Sequence, residues 1–144
     1  MAADPLEPVW SLRLDEAVDA VAWHGTTMAA MPAVGALLIA AGDGSGQTDL
    51  PGHGGGNQAM AWSPDGTALA SGGQDGAVAL HRRTGGAPRR CALGRDWIGD
   101  LAWNADGRLA VAAGRSVVVL GADGAVADRH DGFPSTVAGV AWSP

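Results

Sequence analysis

Four tryptophans recur about every 40 residues along this chain, at Trp23, Trp62, Trp103 and Trp142. Each ends a similar apolar segment, and these segments read VDAVAW, NQAMAW, IGDLAW and VAGVAW. A hydrophobic pattern that returns at a fixed period of this length indicates one supersecondary unit copied along the chain. The repeat constrains the fold more than the function, although repeat architectures mostly supply binding surfaces rather than catalytic centres.

Within each of these segments, large and small side chains alternate. The residue two positions before each Trp is a large aliphatic one, and the residue directly before it is always Ala. A period of two residues is typical of a β-strand. We therefore expect each segment to form the innermost strand of its unit, buried on both faces.

The unit around Trp62 shows the remaining strands most clearly. Turn sequences at 63–66 (SPDG) and 74–76 (QDG) separate the apolar runs 68–73 and 77–80, and a weaker outer strand is predicted at 89–93. Pro, Asp and Gly favour tight turns because Pro fixes φ, Asp bonds its own backbone and Gly accepts positive φ. The unit around Trp103 repeats this order in NADG (104–107), RLAVAA (108–113) and VVVL (117–120).

The amino-acid composition limits which binding partners and which cellular compartment we expect. The 23 glycines and 8 prolines fit short strands joined by many turns. The net charge is −6 and every basic residue is Arg, so the chain lacks the basic stripe that nucleic-acid binding requires. Cys91, the single cysteine, excludes an internal disulfide. With no apolar leader or membrane-length segment, we expect a bacterial protein of the cytoplasm, with no membrane partner.

The chain resembles the WD-repeat family of β-propellers. The resemblance rests on AWSPDG at 61–66, LASGGQDG at 69–76 and PGH at 51–53, and extends over nearly all of 8–144. It implies an all-β fold of four-stranded antiparallel blades in an incomplete ring of about three blades. The expected divisions are a tail at 1–7, units at approximately 15–53, 54–94 and 95–134, and the start of a fourth at 135–144.

The resemblance also implies a structural hydrogen-bonded network of four side chains in each blade. In the second unit, His53, Ser71 and Asp75 match three of the family's positions. No Trp-Asp dipeptide occurs anywhere, and His81 and Leu120 stand where its Trp is expected in the second and third units. We therefore expect an incomplete network in the second unit, essentially none in the third, and looser blades than the family norm.

The first unit departs further from the pattern. HGTTMAAMPAVG at 24–35 takes the place of the short turn, and ALLIAA at 36–41 then reads as the second strand. The Gly-rich segment 42–56 has no apolar run long enough for a full third strand. The first unit is thus either a degenerate blade or a functional elaboration.

Three units are too few for a ring, because propellers close with about four to eight blades. Three alternatives follow: a fragment of a longer protein, a ring completed by self-association through the open blade edge, or an open arc. PVWSLRL at 8–14 is predicted to be a strand, which in a whole propeller would supply the outer strand of the last blade.

Catalytic, metal and cofactor sites find no support in the sequence. The histidines (His24, His53, His81 and His130) lack metal-ligand spacing, and no Cys-x-x-Cys occurs. The Gly-rich runs lack the strand, helix and Gly-Lys-Ser/Thr context of a phosphate loop. We expect no enzymatic activity, no metal and no cofactor.

A better candidate for function is one rim of the propeller, where the loops entering the inner strands and those between second and third strands meet. The candidate binding residues are Trp97, Arg115, Gln74, Asp96 and Glu16. Trp and Arg are frequent binding hot spots, although Trp97 would equally fit packing under its own loop. The prediction is a non-enzymatic protein-interaction scaffold; the alternative is an accessory domain or fragment of a larger enzyme such as a hydrolase.

Overall fold

The computed structural model describes residues 7–144, which contain twelve β-strands and no helix. The first four strands are β1 Val18–His24, β2 Thr27–Pro32, β3 Leu37–Ala41 and β4 Thr48–Leu50. The next four are β5 Asn57–Trp62, β6 Ala68–Gly73, β7 Ala77–Arg82 and β8 Arg89–Ala92. The last four are β9 Ile98–Trp103, β10 Leu109–Ala113, β11 Ser116–Leu120 and β12 Val126–His130.

Each set of four consecutive strands forms one antiparallel sheet in simple meander order, and we name these sheets blades 1, 2 and 3. The first strand of blade 2, β5, contacts both β1 and β9, so the blades follow one another around a common inner edge. This is the all-β propeller architecture that the repeat and the family resemblance predicted. Since no helix occurs among residues 7–144, none there is long and apolar enough to cross a membrane.

The first strands are not buried on both faces, and that prediction is wrong. The most buried strands are the second ones, β2, β6 and β10, in which nearly every residue is buried. A first strand lies at the inner edge of its sheet and has a strand neighbour on one side only. Among residues 7–144, the first strand of blade 1 has no preceding blade against it either, so Val21 is 60% exposed.

Blade 1 is regular, which corrects the expectations of a replaced turn and a missing third strand. Gly25 and Thr26 alone form the turn after β1, and Gly25 adopts the positive φ of 57° that glycine tolerates. TMAAMP therefore carries the second strand and LLIAA the third. The predicted strand at 8–14 does not form: the segment is irregular, and its Trp10 indole donates to the Gly42 carbonyl at 2.8 Å.

The repeated Ala-Trp pair has a structural explanation at the contact between blades. Each Trp indole N–H donates to the carbonyl of the Ala that precedes the Trp of the unit before it. These bonds run from Trp62 to Ala22 (3.2 Å), from Trp103 to Ala61 (3.0 Å) and from Trp142 to Ala102 (2.8 Å). A small residue at the Ala position leaves its backbone carbonyl accessible to the indole. The period of about 40 residues therefore reflects this contact between neighbouring blades. We name these bonds the Trp–Ala contacts.

Two apolar clusters fill the spaces between neighbouring blades. Met31, Leu37, Leu50 and Leu69 belong to the cluster between blades 1 and 2. The larger cluster lies between blades 2 and 3 and contains Val78, Ile98, Leu109, Val111, Val118 and Leu120. The core is therefore a series of interfaces between sheets, and the stability of each blade depends on its neighbours.

Candidate functional sites: a buried polar network and an exposed rim

Blade 2 contains a continuous chain of four polar side chains. The Nδ1 of His53 lies 2.9 Å from an Asp75 carboxylate oxygen, and its Nε2 lies 2.8 Å from the Ser71 hydroxyl. The same hydroxyl lies 2.8 Å from Nε2 of His81. Ser71 is on β6, His81 is on β7, Asp75 is in the turn between them, and His53 is in the loop before β5. The fourth place, expected to lack a partner, is thus filled by His81.

With a neutral His53, the hydrogen-bonding capacities of these groups give the direction of each bond. The Asp75 carboxylate only accepts, so His53 donates from Nδ1 and its unprotonated Nε2 accepts from the Ser71 hydroxyl. Ser71 then accepts from the Nε2–H of His81. This assignment leaves Nδ1 of His81 unprotonated, and that buried atom has no partner among the described residues. The network is therefore satisfied at its Asp75 end and one hydrogen bond short at its His81 end.

Burial and neighbouring charges shift two pKa values in the network. Burial lowers the pKa of His81 to about 4, with smaller contributions from repulsion by the Arg90 guanidinium and by the His53 imidazole whenever that ring is charged. Burial alone would raise the pKa of Asp75, but hydrogen bonds from His53, the Ala77 N–H and Arg90 outweigh it, so that pKa is lowered. At neutral pH the network therefore holds a neutral His81 and an ionised Asp75.

Two residues that the sequence analysis did not single out support this network. Arg90 donates to Asp75 at 3.1 Å and to the Gly52 carbonyl at 2.8 Å. Asn57 is buried and accepts from the His53 N–H while its amide donates to the Pro32 and Gly35 carbonyls of blade 1. The roles of Arg90 and Asn57 both depend on contacts between separate strands, so nothing in the local sequence indicates them.

The Asp75–His53–Ser71 order has the connectivity of a catalytic triad, in which an acid orients a base that activates a nucleophile. Burial argues against catalysis here. Ser71 is 0% exposed, and its hydroxyl is held between two imidazoles, so no carbonyl substrate can approach it in this conformation. The geometry supports a structural role for these residues.

The rim residues fall into separate groups. On blade 3, the Gly114 N–H donates to the Trp97 carbonyl at 3.2 Å, which ties the loop before β9 to the turn between β10 and β11. The Trp97 side chain is 57% exposed beside this link. Asp96 packs so closely against Gly114 that a Cβ there would collide with it. Trp97, Asp96 and the adjacent Arg115 are thus held together on one blade.

Phe133 joins this group, and sequence reasoning missed it. The Arg115 guanidinium donates to the Phe133 carbonyl, and the Phe133 ring is 40% exposed. We name Trp97, Asp96, Arg115 and Phe133 the blade 3 rim. An isolated Phe in a Gly- and Pro-containing loop gives no sequence signal for such a position.

The two remaining rim candidates lie on other blades. Gln74 packs its side chain over Gly55 and Gly56 in blade 2. Glu16 lines a separate groove beside blade 1, together with Arg13 and Asp49. Within residues 7–144, no three His, Cys, Asp or Glu side chains are grouped in a way that could hold a metal ion.

Comparison with known proteins agrees with this geometry. The WD40 family (WD domain, G-beta repeat) matches residues 44–81, the stretch that contains all four members of the buried network. A chain of the mitotic checkpoint complex is 25% identical with a TM-score of 0.79 over 88% of this chain. U3-55K is 16% identical with a TM-score of 0.80, and the computationally designed protein Ika8 is 20% identical with a TM-score of 0.78, each over 89% of this chain.

The chain spans 41% to 43% of the length of these solved structures. No curated protein matches the sequence. Residues 44–81 match the WD40 repeat model, and the three blades together share the fold of these solved structures.

Proposed function

We propose that this chain is a non-enzymatic protein-interaction scaffold of the cytoplasm, and that the blade 3 rim binds its protein partner. The observation that carries the proposal is the exposure of Trp97 on a loop that a backbone hydrogen bond ties to the blade. A large aromatic ring held in place contributes contact area on binding and loses little conformational entropy.

The chemistry around Trp97 supports a protein partner. Trp and Arg are the residue types most enriched in binding hot spots, and Phe133 extends the apolar surface beside them. The net charge of −6 disfavours a nucleic-acid partner. WD40 propellers generally bind proteins, and the mitotic checkpoint complex that contains a similar chain is itself an assembly.

Affinity measurement on rim variants tests the proposal. A partner captured on the wild-type chain would be identified, purified and titrated against Trp97→Ala and Arg115→Ala, with Arg108→Ala as a matched control. Arg108 is exposed in the turn after β9, at the opposite end of that strand from Trp97. Loss of a hot-spot side chain is expected to weaken binding about 30-fold or more, while the control remains unchanged. Equal affinities for all four folded chains would place the binding surface elsewhere.

A further inference from the structure

The Arg115 side chain is held in place by one hydrogen bond and has further donors to offer. Its Nε–H donates to the Phe133 carbonyl, and the Phe133 N–H donates back to the Arg115 carbonyl at 3.1 Å. This reciprocal pair of bonds orients the guanidinium on the blade 3 rim. Among residues 7–144, no acceptor bonds its two terminal nitrogens, Nη1 and Nη2.

An arginine held in this way has one particular edge left for a ligand. The guanidinium is a planar fork, and when its Nε is engaged, the two terminal nitrogens still present a pair of parallel N–H groups. A carboxylate accepts both of them with its two oxygens, whereas a backbone carbonyl has only one oxygen to offer. The free edge of Arg115 therefore matches a carboxylate.

The charges near Arg115 favour a ligand with a single negative charge. Asp131 is already paired with Arg129 at 2.7 Å, so this pair leaves Arg115 unneutralised. Asp96 packs against Gly114, the residue before Arg115, and makes no ion pair with Arg115. The Asp96 carboxylate opposes a dianion such as a phosphate group, which binds best opposite a cluster of arginines.

The same rim offers apolar surface next to this edge. The Trp97 side chain is more than half exposed, and Phe133 is 40% exposed. Phe133 is bonded to Arg115 itself, and the Gly114 N–H ties the Trp97 loop to the turn that carries Arg115. Because backbone hydrogen bonds already hold these parts together, little conformational freedom is lost when a ligand binds.

We propose that the protein partner binds the blade 3 rim with a short segment that carries an acidic side chain close to an apolar one. The Asp or Glu carboxylate accepts both terminal N–H groups of Arg115, and the apolar side chain packs on Trp97 and Phe133. Binding of a protein at this rim is the proposed function, on which this inference rests. The net charge of −6 opposes a long acidic run, so the segment has an isolated acidic residue.

Selection of random peptides displayed on phage against the immobilised 144-residue chain tests this proposal. The wild-type chain should enrich peptides with Asp or Glu near a large apolar residue. Arg115→Glu reverses the charge and should enrich Lys or Arg in place of the acid. Arg108→Glu is the matched control, since it makes the same charge change in the exposed turn after β9, and it should enrich the same peptides as wild type.

Titration of one enriched peptide then measures the carboxylate pairing directly. Replacing the acidic residue of the peptide by its amide should weaken binding to the wild-type chain about 10-fold or more, because a charged hydrogen-bonded pair is lost. The same replacement should change binding to Arg115→Ala little, because the fork is already absent there. Urea denaturation of each variant checks that it is folded.

The outcomes separate the carboxylate pairing from the binding surface. If Trp97→Ala abolishes binding but Arg115→Glu selects the same peptides as wild type, the rim binds a partner and the carboxylate pairing is wrong. If the enriched peptides bind Trp97→Ala and Arg115→Ala as tightly as wild type, the proposed function fails together with this inference. Enrichment of no peptide, or of peptides without an acidic residue, would also overturn the pairing.

Discussion

Blades 2 and 3 have the same strand order but opposite chemistry at the four places of the buried network. Blade 2 has His53, Ser71, Asp75 and His81 there. The strand registers assign the second-strand and third-strand places in blade 3 to Val111 and Leu120, and the spacing before Trp103 assigns the first place to Gly94. The corresponding turn, 114–115, is one residue shorter and contains Arg115. The second-strand and third-strand places are fully buried in blade 3 and apolar, while the turn place holds an exposed Arg.

This difference shows that a blade does not require the polar network to be packed. Val111 and Leu120 are 0% exposed and belong to the cluster between blades 2 and 3. Replacing a hydrogen-bonded set as a whole by apolar groups is often energetically neutral, whereas removing one partner leaves a buried polar group unsatisfied. Blade 3 therefore loses the network without acquiring unpaired groups, and the expectation of looser blades does not follow from its missing polar residues.

Placing a residue of one blade at the corresponding position of the other should have the largest effect on the unfolding free energy. Leu120→His places an imidazole with no partner in an apolar cluster and should cost about 3 to 5 kcal/mol of unfolding free energy. His81→Leu breaks the bond to Ser71 but removes the unpaired Nδ1, so its cost should stay within about 1 kcal/mol. Urea denaturation of both variants measures the difference. Equal losses would mean that the two blades tolerate polarity alike.

The pH dependence of stability should also separate the two blades. The pKa of His81 is about 4 in the folded chain, against an unperturbed value of 6.5. Between these pH values the unfolded chain binds a proton that the folded chain excludes, so stability is complete above about pH 6.5 and falls toward pH 4. The loss should approach about 3 kcal/mol. The urea midpoint of the wild-type chain should fall as the pH is lowered across this range. In His81→Leu the part of the fall that is due to His81 should be absent. An equal fall in the two chains would mean that other groups cause it.

Removing an acidic turn residue should have a moderate effect that differs between the blades. Asp75→Ala removes the acceptor for His53, the Ala77 N–H and Arg90, and should cost about 1 to 3 kcal/mol. Asp106 is exposed in the turn after β9, where Asn104 accepts the turn hydrogen bonds, so Asp106→Ala should cost a few tenths of a kcal/mol. Similar shifts of the urea midpoint would show that the blade 2 network contributes no net stability.

Repeated local sequence patterns made most of the fold predictable. The Trp period and the turns at 63–66 and 74–76 predicted blades of four strands, because those signals depend on local chemistry alone. Blade 1 was misinterpreted since β2 is buried on both faces and has no alternation, and since its Gly25–Thr26 turn has no Pro or Asp. The Trp–Ala contacts could not be predicted, because they join residues about 40 positions apart across two sheets.

The candidate site was less predictable than the fold. The resemblance proposed His53, Ser71 and Asp75 as a group, but the roles of His81 and Arg90 depend on strand registers that bring β7 and β8 beside the turn at 74–76. The exposure of Trp97 also depends on how loops meet at the rim. A loop Trp has the same sequence pattern whether it packs or protrudes.

The smallest expected effect concerns Arg115, which lies in the blade 3 turn that corresponds to the Asp75 turn of blade 2. Its guanidinium is exposed and donates to one carbonyl, that of Phe133, so Arg115→Ala should change the unfolding free energy by only a few tenths of a kcal/mol. Urea denaturation beside Asp75→Ala measures the contrast between the two turns. A loss above about 1 kcal/mol would make Arg115 a structural residue of its blade. A small loss would mean that blade 3, by packing its core with apolar side chains, leaves this turn position available for binding.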